Sequence, residues 1–268
     1  MGTVLAITSQ KGGVGKTTLA LNLGYALARR GWRTLVVDAD PQGGIALSVS
    51  SSLVVRPGLA DLLRGSAELT EAIVETRMPD LRLMPVGTLS ALGAGAWSGD
   101  LADGRALEPI LTRARADHDV VLVDTAPGLG GSTLGVLRNA DWFLVPLQAE
   151  PLAGRAVRAL LAAIDALHEE GAAPSFAGIV LTMLQSRQAT SLEVAQESWR
   201  LFPAEVVIEA TVPRDAIFLE ASAKGVPVAL LHRRPPPVSS VFDQIAAEVE
   251  TRIGLASEED DDVIPLVD

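Results

Sequence analysis

The chain has 268 residues, 48% of them hydrophobic and only 4% aromatic, so a single sizeable core built from Ala, Val, Leu and Ile is expected. It contains no cysteine, which excludes disulfides, thiolate metal sites and iron–sulfur clusters. The net charge is −11, but six of the 33 acidic residues lie between positions 258 and 268. The remainder carries 27 acidic and 22 basic residues, which leaves room for a local basic surface.

Short apolar runs alternate with amphipathic segments along the chain, a pattern typical of repeated β-α units around a parallel sheet. The apolar runs suit strands that are buried on both faces, and they lie at 3–8, 34–38, 81–86, 120–124, 142–146 and 177–183. Helices are predicted at 16–30, 103–116, 152–168 and 190–201, followed by a last helix with the apolar stripe Val241, Ile245, Val249 and Ile253. Residues 48–57 and the Gly-rich stretch 87–104 are predicted as loops near the active face, although a strand-to-helix excursion in either stretch is also compatible with the sequence.

These elements predict one α/β domain over residues 1–255, with a twisted, mainly parallel sheet that has helices on both faces. Residues 256–268 are acidic and lack periodicity, which indicates a disordered tail that serves solubility. The N-terminus has no basic region or cleavage signal, and the apolar runs are too short to span a membrane. A cytoplasmic location is therefore expected.

The first predicted strand leads into a glycine-rich loop that opens the first helix, Lys11-Gly12-Gly13-Val14-Gly15-Lys16-Thr17-Thr18. The glycines let backbone N–H groups turn towards phosphate oxygens at a helix N-terminus, whose dipole also favours anions. Lys16 would then reach the β- and γ-phosphates, and the Thr17 hydroxyl would hold Mg²⁺. The alternative is an ordinary Gly-rich turn, but the strand–loop–helix context favours a single-domain P-loop NTPase.

Carboxylates follow two of the later strands. One segment reads Asp38-Ala39-Asp40-Pro41-Gln42-Gly43, and the other reads Asp124-Thr125-Ala126-Pro127-Gly128. Ligands bind at the carboxyl ends of parallel strands, so Asp124 is predicted to bind Mg²⁺ through water. Alone, Asp38 and Asp40 are better explained as caps of the following loop. The P-loop one β-α unit upstream favours a role at the same site.

The glycine-rich loop has Lys11 where the plain P-loop pattern has Gly, and in this it resembles the deviant Walker A motif of the ParA/MinD ATPases. Residues 38–43 resemble that family's switch I, and residues 124–128 resemble its Walker B strand and switch II. Residues 140–151 and 212–228 resemble further ParA segments. The resemblance covers most of the chain and is closest to the short, Soj-like type. That type lacks the DNA-reading helix-turn-helix that precedes the P-loop strand in longer plasmid ParA proteins, so sequence-specific repression is not expected.

The resemblance implies a role for each matching residue. Lys11 would reach across a dimer interface to the partner's nucleotide, Asp40 would position the attacking water, and Asp38 would support the Mg²⁺ side of the site. The segment that would lie against adenine is Pro213, Arg214 and Asp215. No Asn-Lys-x-Asp guanine-reading motif is present in the sequence, so ATP is favoured over GTP. The family commonly has Asn where this chain has Gly44.

The resemblance also implies a nucleotide switch: an ATP-dependent homodimer with slow basal hydrolysis, stimulated by a ParB-like or cargo-bound activator. Such a dimer is predicted to be nucleoid-associated, to bind DNA non-specifically and to position or segregate DNA or another large cargo. Phosphate contacts suffice for such binding, and the candidate residues are Arg155, Arg158, Arg187, Arg200, Arg233 and Arg234. Ordinary solvated arginines are an equally good explanation of this set.

Two alternatives to DNA remain open as the structure to which the dimer attaches. A MinD-like protein would bind a membrane through a basic amphipathic C-terminal segment, whereas the acidic end of this chain would be repelled by anionic lipid. A related ATPase could instead serve a protein scaffold as an assembly factor.

Overall fold

The computed structural model describes residues 1–148, 153–172, 174–185, 193 and 202–255. Within this part, seven strands form one sheet in the order β3-β4-β2-β5-β1-β6-β7. Neighbouring strands are parallel except for the pair β3 and β4, which is antiparallel. The strands are β1 Thr3–Ile7, β2 Thr34–Asp38, β3 Val74–Glu75, β4 Leu81–Met84, β5 Val120–Asp124, β6 Trp142–Gln148 and β7 Ser175–Thr182.

Ten α-helices are bounded within the described residues. They are α1 Lys16–Arg29, α2 Gly44–Val49, α3 Leu59–Leu63, α4 Leu69–Ala72, α5 Ala91–Asp100, α6 Glu108–Asp117, α7 Gly131–Asn139, α8 Ala153–Glu169, α9 Ile217–Ala223 and α10 Ser240–Arg252. Short 3-10 turns lie at Ser51–Val55, Ala204–Val206, Val228–Leu230 and Pro237–Ser239. In the described ranges no helix combines the length and apolarity needed to cross a membrane.

Alternate side chains of the central strands enter two separate hydrophobic cores. In β1, Val4 and Ala6 belong to the core under α3 to α8, whereas Leu5 and Ile7 belong to the core under α1, α2, α9 and α10. Successive residues of a strand point to opposite faces, so a strand covered on both sides must be apolar at every position. The predicted α/β class, with helices on both faces of a mainly parallel sheet, is confirmed.

The element boundaries differ from the predictions in several places. The predicted loop 87–104 contains α5, where Ser90 Oγ accepts the N–H of Gly93 at 3.0 Å and Trp97 is buried in the core. The predicted loop 48–57 contains a 3-10 turn, and α6 begins at Glu108, five residues later than predicted. The edge strand β3 has only two residues and was not predicted. The predicted helix 190–201 and tail 256–268 lie outside the described residues, apart from Glu193.

The strand register brings three loops to one edge of the sheet. Ile7, the last residue of β1, is level with Asp124, the last residue of β5, and Asp124 is level with Asp38 at the end of β2. The glycine-rich loop and the two carboxylate segments all follow these ends directly. Their convergence is a consequence of parallel strand pairing.

Candidate functional site

The glycine-rich loop links β1 to α1 and presents free backbone donors. Gly13 and Gly15 have φ values of 76° and 91°, in the left-handed region that glycine adopts without strain. Gly15 caps α1 without a side-chain hydrogen bond, and the first turn of the helix contains no acidic residue. The N–H groups of that turn are therefore available to an anion, and the helix dipole favours one.

Lys16 is the first residue of α1, and only 6% of its surface is exposed. Burial lowers the pKa of its ammonium, while the charges of Asp124 and Asp40 act in the opposite direction. A buried ammonium that is partly compensated by carboxylates is stabilised further when phosphate oxygens approach it. The surroundings of Lys16 therefore suit a polyanionic ligand.

Asp124 is fully buried, and its two oxygens differ. One, Oδ2, accepts a hydrogen bond from the Thr17 hydroxyl at 2.6 Å. The other, Oδ1, is buried and has no hydrogen-bond partner among the described residues. Burial raises the pKa of Asp124 to about 7, although the Thr17 hydrogen bond and the Lys16 charge oppose this shift. A buried unpaired carboxylate oxygen next to a threonine hydroxyl is the type of ligand set that Mg²⁺ prefers, so these residues fit the ion.

Asp38 is also fully buried, but both of its oxygens are occupied. Oδ1 accepts the Asp40 N–H at 3.1 Å, and Oδ2 accepts the Ile45 N–H at 2.9 Å. Burial and the neighbouring Asp124 raise its pKa, and the two backbone donors lower it. Asp38 therefore holds the loop between β2 and α2, which carries Asp40, in place beside the site.

Asp40 is half-buried, and its Oδ1 accepts the N–H of Gln42 at 2.9 Å. It is near enough to Lys16 and Asp124 to influence the pKa of both. The backbone of Ala39, directly before it, is fixed on both sides. Its N–H donates to the Asp124 carbonyl at 2.8 Å, and its carbonyl accepts the indole N–H of Trp97 at 3.0 Å.

The segment after β5 rests on the glycine-rich loop. The Gly128 N–H donates to the Ser9 carbonyl at 3.0 Å, and Gly128 has a φ of 89°. An added Cβ on Gly12 would lie 3.7 Å from Pro127, so a side chain at position 12 would touch this segment. Lys11 is exposed beside Gly12, and its N–H donates to Ser9 Oγ at 3.4 Å. A conformational change in the glycine-rich loop would therefore be transmitted to residues 125–128 through these direct contacts.

A cavity of about 480 Å³ lies between the glycine-rich loop and the C-terminal part of the chain. Its lining includes Val14, Thr18, Met183 and the predicted segment Pro213, Arg214 and Asp215. The cavity is fixed by a 2.9 Å hydrogen bond from Thr182 Oγ1 to the Val14 carbonyl and by pairing of Leu184 with Pro213. Met183 has a φ of 56°, which is strained for a residue other than glycine. The volume is within the range typical of small-molecule pockets.

The predicted site residues of the loop and strand ends thus meet at one place, and the cavity adjoins them. The structure describes only some of the predicted arginines. Arg158 is exposed on α8, and Arg233 and Arg234 are exposed after the 3-10 turn Val228–Leu230, with no ion-pair partner in the described part of the chain. Arg187, Arg200 and the side chain of Arg155 lie outside the described residues.

Three residues near the site were not predicted: Trp97, Thr182 and Met183. Trp97 and Thr182 each donate a hydrogen bond to a residue distant in sequence, Ala39 and Val14 respectively, and Met183 lines the cavity. The one sequence signal was Trp97 itself, a large aromatic residue in a stretch of Ala, Gly and Ser.

Comparison with known proteins gives consistent matches. The family model described as AAA domain matches residues 2–176. The chromosome partitioning protein ParA of Caulobacter vibrioides is 37% identical over 257 residues, which cover 93% of this chain and 94% of that protein. The chromosome-partitioning ATPase Soj of Treponema pallidum is 33% identical, with coverage of 95% and 99%.

The fold also matches a solved structure. Cobyrinic acid a,c-diamide synthase from Mycobacterium smegmatis, with bound ATP analog and magnesium, superposes with a TM-score of 0.72 and 30% identity. The match covers 92% of this chain and 93% of that one.

Proposed function

The chain belongs to the ParA/Soj family of chromosome-partitioning P-loop ATPases, and we propose that ATP and Mg²⁺ close two copies of it into a dimer that binds DNA non-specifically and positions a DNA or other large cargo. The observation that carries this proposal is the convergence of Lys16, Thr17, Asp38 and Asp124 at one edge of the sheet. A protein that only bound DNA would have no need of buried carboxylates beside a glycine-rich anion loop.

ATP is the proposed substrate. Its phosphates would lie on the backbone N–H groups of Gly12, Gly13, Val14, Gly15 and Thr18 and on the Lys16 ammonium, and its base would enter the cavity beside Pro213, Arg214 and Asp215. The short distance between the loop and the cavity supports this placement, since Val14 and Gly15 line the cavity and belong to the loop. One continuous surface would thus contact both ends of the nucleotide.

Mg²⁺ is proposed to be held by the Thr17 hydroxyl and by Asp124, directly or through water. When bound, the ion supplies positive charge against the β- and γ-phosphate oxygens. Asp38 acts by holding the Asp40 and Ile45 N–H groups, so it supports this side of the site.

Hydrolysis is assigned to Asp40 and Lys11. Asp40 positions the attacking water, and the Lys11 ammonium of the partner subunit neutralises charge on the transferred phosphoryl group. The exposure of Lys11 on the loop surface supports a role at an interface between subunits. No strong base is assigned among these groups, so we expect slow basal turnover that a ParB-like or cargo-bound activator accelerates.

DNA binding is assigned to exposed arginines. Arg158, Arg233 and Arg234 are exposed and without a salt bridge within the described ranges, so their charges are available to phosphates. Phosphate contacts give sequence-independent affinity, and a dimer doubles their number. Such binding would make the ATP-bound protein nucleoid-associated.

The test measures binding of random-sequence duplex DNA by the Asp40→Ala protein, with and without ATP and Mg²⁺, across a salt series. We expect ATP-dependent binding that weakens steeply with salt. In the same background, replacing Arg233 and Arg234 with Ala should reduce the salt slope by roughly 2 per subunit. Arg77→Ala, which removes one exposed arginine elsewhere, is the matched control and should leave the slope unchanged.

The decisive negative result is an intact ATP dimer, seen by light scattering, that binds no DNA even at low salt. That outcome would reject DNA as the attachment and point to a protein scaffold or a membrane, which vesicle and pull-down assays would then separate.

A further inference from the structure

A buried amide joins the first helix to a segment near the other end of the chain. Asn22 lies in the middle of α1 and is only 7% exposed. Its Nδ2 donates to the Thr18 carbonyl, one helical turn earlier, at 2.8 Å, and its Oδ1 accepts the Val228 N–H at 2.8 Å. Val228 is the first residue of the 3-10 turn Val228–Leu230, and its side chain is fully buried. Asn22 therefore ties α1 to a turn that is 206 residues away in the sequence.

The two segments that Asn22 joins line different parts of the 480 Å³ cavity. Helix α1 contributes Thr18 to the lining, and the segment 212–222 contributes several residues from another part of the chain. This segment is attached at its start, where Pro213 pairs with Leu184 beyond the end of β7. Its other end is followed, after a short turn, by Val228. The hydrogen bond between Asn22 and Val228 is therefore placed to hold this second end against α1.

From this arrangement we infer that Asn22 is a positioning residue for the nucleoside part of the nucleotide: it holds the segment 212–222 at a fixed distance from α1, and so sets the width of the cavity that receives the base. The inference rests on the proposed placement of ATP. Asn22 is not among the described residues that line the cavity, and its amide bonds the Thr18 carbonyl, not one of the N–H groups proposed to bind phosphate. Loss of the amide therefore weakens binding of the nucleoside and leaves binding of the triphosphate chain intact.

The test measures how well ATP, and inorganic tripolyphosphate, which has no nucleoside, displace a fluorescent ATP analogue from the protein in MgCl₂. Asn22→Ala should weaken ATP binding about tenfold relative to the unchanged chain, the effect of losing one well-formed hydrogen bond. Its affinity for tripolyphosphate should be unchanged. Equal weakening of both ligands would place the effect on the glycine-rich loop and overturn the inference, and so would an unchanged affinity for ATP.

Asn139→Ala is the matched control. The Asn139 amide also donates to the carbonyl four residues earlier, that of Gly135 at 2.9 Å, and bonds one distant segment, through the Gly104 carbonyl at 2.8 Å. It lies at the end of α7 and is not among the described residues that line the cavity. This variant should leave both affinities unchanged. A tenfold loss of ATP binding here would show a general effect of removing a helical amide and reject a local role for Asn22.

A second variant removes the same hydrogen bond from its other side. Val228→Pro lacks the N–H, and proline suits the first position of a helical turn. The preceding Pro227, with φ −55° and ψ 147°, has the extended backbone that a residue before proline prefers. Val228→Pro should weaken ATP binding as Asn22→Ala does. The double variant should bind ATP no more weakly than Asn22→Ala alone, because both changes delete one bond.

Losses that multiply in the double variant would contradict the inference. Two other results would count against the proposed function instead. An unchanged chain that binds no ATP would reject the nucleotide site, and one that binds ATP no more tightly than tripolyphosphate would reject the placement of the base in the cavity.

Discussion

Trp97 is predicted to hold the loop that carries Asp40 through a single hydrogen bond. Its indole N–H donates to the buried carbonyl of Ala39 at 3.0 Å, and Ala39 lies between Asp38 and Asp40. Trp97→Phe keeps most of the aromatic packing but removes the donor. The Ala39 carbonyl is then left buried without a partner, and Ala39 loses one of its two backbone hydrogen bonds, the other being the one that its N–H donates to the Asp124 carbonyl.

The size of the effect can be worked out from the contacts. A buried carbonyl that loses its donor costs about 1–3 kcal/mol. The smaller ring leaves a void that costs about 1 kcal/mol more, at roughly 24 cal/mol per Å³. Trp97→Phe should therefore lower the free energy of unfolding by about 2–4 kcal/mol. Trp32→Phe should cost about 1 kcal/mol or less, because Trp32 is half-buried and its acceptor, Glu250 Oε1, keeps a hydrogen bond from Arg30 at 2.6 Å.

Both variants replace Trp with Phe, one beside the candidate site and the other away from it. They are compared in two assays: urea unfolding, which is followed by circular dichroism, and ATP turnover. Trp97→Phe should lower turnover about tenfold through displacement of Asp40 and leave nucleotide affinity unchanged, whereas Trp32→Phe should leave both unchanged. Equal turnover in the two variants would refute the role given to Trp97. So would a loss of stability in Trp97→Phe no larger than that in Trp32→Phe.

Three further variants test other groups. Lys16→Ala should weaken nucleotide binding about a hundredfold, because charged hydrogen bonds to phosphate are lost; near-normal affinity by calorimetry would contradict its role. Lys11→Ala should bind ATP normally but stay monomeric in light scattering, since its proposed target is the partner's phosphate, and an ATP-dependent dimer would argue against contact between subunits. His118 is buried beside the Ala114 carbonyl, and burial lowers its pKa from 6.5, as does Arg82, so the folded state favours the neutral ring. The unfolded chain takes up the proton first, so stability falls as pH drops below about 6.5, and His118→Gln should show a shallower fall in its urea midpoint.

The central sheet and the phosphate loop could be predicted because their signals are local. Strands covered on both faces must be apolar at each position, and a loop that wraps phosphate needs glycines at a fixed spacing before a helix. The meeting of Asp38 and Asp124 followed from parallel pairing alone, since both end a strand. The family resemblance supplied roles for Lys11 and Asp40 that local spacing does not reveal.

The remainder depended on contacts between distant segments. Helix α5 contains three glycines, which disfavour a helix by about 1 kcal/mol each relative to Ala, and it forms because Trp97 is buried against the core. The cavity needs Thr182 to meet Val14, a pair separated by 168 residues, and it needs the left-handed backbone of Met183. Neither hydrophobic periodicity nor secondary-structure propensity indicates contacts between distant residues, so tertiary packing determines these features.

Helix α2 also depends on contacts between distant segments, since a glycine allows a close approach at each of its ends. At its start, Gly44 lies against Thr17, and at its end, the Val49 carbonyl lies where a Cβ on Gly225 would be only 1.9 Å away. Close-packed contacts of this kind tolerate little change, so both ends of this six-residue helix are tightly constrained. Gly225 begins the stretch that leads to Arg233 and Arg234. Helix α2 therefore packs both against Thr17, the proposed ligand of Mg²⁺, and against the start of the segment that leads to Arg233 and Arg234.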